Sequence, residues 1–244
     1  MATKSLSLLI IIMITVLAVG CRLGGDEPLP PATLWIHCLD LSGSPREHDR
    51  QRWARACEGQ LGRLKAGDAV IIFGLHENTA TAAPLFEGRS RYVPAEAGAS
   101  EQLKARLEFE AMVSGARAAL QRAFSVVPAG RTHILEVLHR IQPDAQRPEM
   151  RLVFYSDMIE NSTWINLGSF NIEGREVETA RSVAGRAGIA GLRLGARVEC
   201  ILDDVTTGQR PHTVNSRRSL ALYWRETFAQ AGAELAWFEA RIPE

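Results

Sequence analysis

Asp40, Ser42 and Ser44 alternate directly after an apolar run, Leu34-Trp35-Ile36-His37-Cys38-Leu39. The spacing gathers one anionic and two neutral oxygen groups within a few ångströms. Donors of that kind suit a hard divalent cation, which takes oxygen ligands. Two further oxygen-bearing residues stand in comparable settings. Thr132 follows the breaker Val127-Pro128-Ala129-Gly130-Arg131. Asp157 ends a second apolar run, Met150-Arg151-Leu152-Val153-Phe154-Tyr155-Ser156. Taken singly, each residue also has an ordinary structural reading. Asp40 can cap a helix, Ser42 and Ser44 can form a turn, and Thr132 can be the N-cap of the short helical pattern that follows it.

Chemistry at these positions requires elements that bring them together. The run 34–40 is short, apolar and bounded by Gly43-Ser44-Pro45, so it reads as a buried strand. Residues 46–65 carry Trp53, Ala56, Leu61 and Leu64 on an interrupted apolar stripe and read as an amphipathic helix. Ala69 to Leu75 is a second apolar strand. Strand, helix and strand with short connections make a βαβ unit and imply a parallel sheet. Residues 81–86 read as an antiparallel edge strand, where Pro84 is tolerated. The pattern then predicts a long helix over 101–124 and a short one capped by Thr132. Strands over 150–157, 196–204 and 234–240 alternate with helices over 177–187 and 219–231. The expected fold is α/β, a doubly wound and mostly parallel sheet flanked by helices. In such sheets ligands bind at the carboxyl ends of the strands. Asp40, Thr132 and Asp157 would all reach that edge.

The 244 residues carry 28 basic and 28 acidic side chains and are 46% hydrophobic. That suffices for a substantial core. The neutral balance gives no bulk electrostatic case for nucleic acid, so none is expected as a partner. No phosphate-binding Gly-x-x-x-x-Gly-Lys loop and no Gly-x-Ser-x-Gly elbow occurs. No general base stands near the oxygen cluster beyond its own residues, so the chain does not read as an enzyme. His37 and Cys38 read as core. His76, His133 and His139 form no metal-ligand spacing. Cys38 and Cys200, in apolar runs, read as inert buried thiols. Asp203 and Asp204 end a strand at the same edge, either as a solvated strand end or as added negative potential. Trp164 and Phe170 lie in the loop beyond Asp157. They read as a possible partner-binding rim, with burial by a folded-back loop as the alternative.

The N-terminus has a different character. Lys4 precedes an apolar stretch over 8–19, short for a membrane span of about 20 residues. Its end, Leu17-Ala18-Val19-Gly20-Cys21, resembles the lipobox of bacterial lipoproteins. The resemblance implies a signal peptide over 1–20, lipidation of Cys21 and a membrane anchor. Arg22, where an inner-membrane retention signal would have aspartate, favours a periplasm-facing outer-membrane location. Residues 21–33 then read as a lipidated cysteine and linker, and 34–244 as the folded domain.

The folded part, from Leu34 to Glu239, resembles the von Willebrand factor type A domain in the order of its elements. That family's metal-ion-dependent adhesion site combines Asp-x-Ser-x-Ser, a distant threonine and an aspartate after a later strand. Asp40, Ser42, Ser44, Thr132 and Asp157 match these positions. The resemblance implies Mg²⁺ (or Mn²⁺), hydroxyls that touch the ion, and a protein partner held by a metal-bridged carboxylate. Two residues depart from the pattern: Arg131 directly precedes the threonine, and Met158 follows Asp157 where glycine is frequent. Arg131 would place a competing positive charge near the ion. The expected function is a lipid-anchored protein-binding module. The alternative is a scaffolding subunit of an envelope complex with an empty site.

Overall fold

The computed structural model describes residues 32–125, 130–203 and 213–240. The signal segment, Cys21 and Asp204 lie outside the described residues.

A six-stranded sheet runs in the order β3-β2-β1-β4-β5-β6. The strands are β1 (Thr33–Asp40), β2 (Ala69–Leu75), β3 (Phe86–Arg89), β4 (Glu149–Tyr155), β5 (Ala196–Ile201) and β6 (Glu234–Glu239). All neighbours are parallel except β3, which pairs antiparallel with β2. This is the doubly wound α/β fold expected from the sequence.

Helices cover both faces. Helix α1 (Glu47–Leu61) and α2 (Ala99–Ala123) bury Trp53, Cys57, Met112 and Leu120 against Trp35, Leu39, Val70 and Tyr155. On the other face lie α3 (Ile134–Leu138), α4 (Glu176–Arg186) and α5 (Arg217–Gln230). They pack Leu135, Val183, Trp224 and Phe228 against Ile36, Cys38, Phe154 and Cys200. Successive strand residues point to opposite faces. With both faces covered, both sets must be apolar, which is why β1 reads as an unbroken apolar run.

Two expectations shift. The edge strand is Phe86–Arg89, displaced from 81–86. Its residues alternate between half-buried and exposed, so it leaves no apolar run in the sequence, and Pro84 precedes it. Thr132 is not the N-cap of α3. The cap position is His133, without a side-chain cap bond, and the Thr132 hydroxyl points elsewhere.

Candidate functional site

Register places the site. Leu39 is level with Tyr155 across the β1–β4 pair. The next residue of each strand, Asp40 and Ser156, therefore meet at the carboxyl edge. The Ser156 hydroxyl donates to Asp40 Oδ2 at 2.7 Å. Asp40 Oδ1 accepts the Ser42 amide at 2.9 Å, which folds the chain back after β1. The Thr132 hydroxyl, 92 positions away, donates to the same oxygen at 3.4 Å. The Ser42 and Ser44 hydroxyls are 3.0 Å apart. Arg50, on the first turn of α1, donates to the Ser42 carbonyl at 2.9 Å and steadies the turn.

Asp157 sits beside this group and accepts the Ile159 amide at 2.9 Å. Burial raises its pKa to about 8, and the neighbouring Asp40 charge adds to the rise. Hydrogen bonds from Ile159 and Ser44 oppose it, while Asp203 reinforces it. Asp40 is pushed upward by burial as well, against hydrogen bonds from Ser156, Ser42 and Thr132. So the strand-end Asp203 does contribute negative potential at the site.

All five sequence-predicted oxygen residues thus gather at one edge. Asp40, Ser42, Thr132 and Asp157 are buried and Ser44 is half-buried. A cavity of about 450 Å³ opens over them, lined by Ser42, Ser44, Thr132, Arg131, Asn161 and Asn166 among others. Ser42, Ser44 and Thr132 line the cavity, whereas Asp40 and Asp157 do not. Among the described residues no three His, Cys, Asp or Glu side chains group as ligands. A cation here would have to be held chiefly by hydroxyls. The donor set fits a hard divalent ion: neutral oxygens at the mouth, with two mutually repelling buried carboxylates behind them. Arg131 is exposed and lines the same cavity.

Trp164 and Phe170 do not line this cavity. They line a neighbouring one of about 480 Å³, with Arg175 and Arg186. Asn166 and Ser169 belong to both cavities and form the wall between them. Trp164 is half-buried against the core. Phe170 is 45% exposed, with the Arg175 guanidinium 5.8 Å from its ring centre. The loop therefore folds back over one aromatic and presents the other.

Met158 has φ +59°, in the left-handed region that glycine adopts freely. That is why glycine suits this position. Here Met158 is held there with its side chain fully buried. Its amide donates to the Ser156 hydroxyl at 2.9 Å.

The sequence reading missed Ser156 and Glu160. Ser156 was visible at the end of the second run, and pairing Leu39 with Tyr155 would have pointed to it. Glu160 had no local signal. It is fully buried, and burial raises its pKa to about 8.

No family model matches the sequence, and no curated protein matches it. Among solved structures, the chain is similar to proximal thread matrix protein 1 from the mussel byssus, in a form with a zinc-occupied MIDAS motif. The identity is 12%, over 86% of this chain and 41% of that one, with a TM-score of 0.42. It is also similar to a von Willebrand factor type A structure from Catenulispora acidiphila, at 14% identity over 81% and 37% of the two chains and a TM-score of 0.43. A third is the PilB minor pilin from Streptococcus sanguinis, at 13% identity over 88% and 58% and a TM-score of 0.48. The chain spans less than two thirds of the length of each of these proteins. By its own strand order and its single antiparallel edge strand, the described part of the chain has a doubly wound α/β fold with an oxygen cluster at its carboxyl edge, and its likeness to the von Willebrand factor type A structure is one of fold.

Proposed function

We propose that this chain is a non-catalytic protein-binding module that uses a divalent cation, Mg²⁺ or Mn²⁺, to engage an acidic side chain of a partner protein. One observation carries the reading. Thr132 crosses 92 positions to bond Asp40, while Ser42 and Ser44 stand together at the mouth of the same cavity. Ser42, Ser44 and Thr132 would hold the ion. Asp40 and Asp157 would balance its charge from behind and orient the hydroxyls. A bound ion with few direct carboxylates stays electron-poor and supplies a Lewis-acid contact for a partner carboxylate. The protein's own part is to hold the hydroxyls at a wet, open mouth and keep the carboxylates buried. On this reading the chain is lipid-anchored through Cys21 and faces the periplasm from the outer membrane. The exposed Phe170 and half-buried Trp164 would extend the binding face beyond the cavity.

The test is calorimetric titration of the full chain with MgCl₂ and MnCl₂, against an Asp40→Ala variant. Saturable binding lost in the variant is expected. Equal behaviour of the two proteins would remove the metal reading.

Arg131 on the cavity wall supports a second reading, a scaffolding subunit that works with no ion. Partners that co-purify equally with wild type and an Asp40→Ala, Ser42→Ala variant would favour it.

A further inference from the structure

Thr132 stands two positions before the first residue of α3, within reach of capping it. A capping threonine accepts from the amides two or three positions on, which here are Ile134 and Leu135. Both amides are already taken. Glu160 Oε2 accepts Ile134 N–H at 2.6 Å and Leu135 N–H at 3.2 Å. The next residue, Asn161, donates its amide to the Thr132 carbonyl at 2.9 Å. Residues 160 and 161 thus grip Thr132 and the start of α3 together. The same loop begins at Asp157. His133, at the cap position, gives α3 no side-chain cap.

We infer that Glu160 is the positioning residue of the site: by capping α3 in place of Thr132, it releases the Thr132 hydroxyl toward Asp40 and the cation. The inference rests on the proposed metal site and adds a residue outside the adhesion-site pattern. The competition is between two acceptors for one pair of amides. Glu160 Oε2 is held in a fully buried side chain within reach of both amides and accepts from each, so neither amide is left for the hydroxyl. Truncation of Glu160 leaves the amides of Ile134 and Leu135 without an acceptor. Thr132 is the nearest group in sequence able to turn and cap them, and in doing so it would leave Asp40.

The experiment is a double-mutant cycle on the full chain, with Mg²⁺ affinity read by calorimetry and unfolding temperature read in EDTA. The variants are Glu160→Ala, Glu160→Gln, Thr132→Ala and the Glu160→Ala, Thr132→Ala pair. Glu160→Ala is expected to weaken Mg²⁺ about tenfold or more, as loss of a ligand-orienting group does. Glu160→Gln keeps an acceptor for both amides and retains the affinity. In the Thr132→Ala background Glu160→Ala should cost no further affinity, although it still lowers the unfolding temperature. A purely structural glutamate would lower that temperature and leave affinity alone, which overturns the inference. Equal affinity losses in both backgrounds would overturn it too. If Thr132→Ala itself binds Mg²⁺ as wild type does, the metal reading falls, and this inference with it.

Discussion

The indole Nε1 of Trp224 donates to the carbonyl oxygen of Met158 at 2.9 Å. This bond joins α5 to the residue that follows Asp157, and it pins Met158 at φ +59°. A non-glycine residue in that region costs about 1–2 kcal/mol. The surrounding contacts must supply it.

Trp224→Phe removes the donor, leaves a buried carbonyl unpaired and opens a void. The expected loss is about 2–4 kcal/mol in urea unfolding. Met158→Gly relieves the backbone but empties a fully buried side-chain site. Its net effect should be a smaller loss, about 1–3 kcal/mol, because the cavity term exceeds the strain recovered. A more stable Met158→Gly protein would show that the strain dominates.

Asp40→Asn should separate metal binding from folding. Without a divalent ion it removes a buried charge beside Asp157; its one amide oxygen still accepts from Ser42 and Thr132, and its NH₂ donates to the Ser156 hydroxyl in place of the bond that Ser156 makes to Oδ2. Unfolding temperature in EDTA should therefore hold or rise. Any Mg²⁺-dependent gain in unfolding temperature, which follows from binding to the folded state alone, should vanish in the variant.

Stability should fall as pH rises from about 4 to about 8. In the unfolded chain a glutamate loses its proton near pH 4.3. In the folded chain burial holds Glu160 protonated up to about 8. Between those values the folded state binds more protons than the unfolded one, so raising the pH favours unfolding. Above about pH 8 this contribution levels off. Glu160→Gln removes it, so the variant's stability in EDTA should vary less with pH across that window. A wild-type stability that climbs through this range would contradict the assignment.

Cys38, Cys57 and Cys200 should not react with an aromatic disulfide reagent in the native protein. All three are free thiols with side chains fully buried. Burial pushes the Cys57 thiol up to about 12 and the other two upward as well, so none offers a thiolate. Denaturation should expose all three, counted by absorbance.

Much of this fold is written in apolar runs. Strands β1, β2 and β4 lie where both faces are covered and carry long apolar runs, and β5 shows itself by Val198, Cys200 and Ile201, so the chain announces them without any partner information. The edge strand β3 eluded that reading because half its side chains face solvent. Gly88 within it lies under the Phe86 ring and Met112, where a Cβ would come within 2.7–2.8 Å. That close packing leaves no local signature.

The site divides along the same line. Asp-x-Ser-x-Ser after a buried strand fixed three of its oxygens by spacing alone, since one turn of chain suffices to gather them. The sequence also placed Asp157 at the right edge, because parallel strands end together. Whether Thr132 capped its own helix or turned toward Asp40 was not decidable locally. Both are good hydrogen bonds for a threonine. The choice was made by Glu160, 26 positions beyond Ile134, which takes the amides first. Likewise, only the β1–β4 register brought Ser156 against Asp40, and only the packing of α5 held Met158 in its left-handed turn. Residue types and local spacing state which oxygens are on offer. Competition among donors and acceptors far apart in the chain decides which way each one points, and that competition exists only in the folded protein.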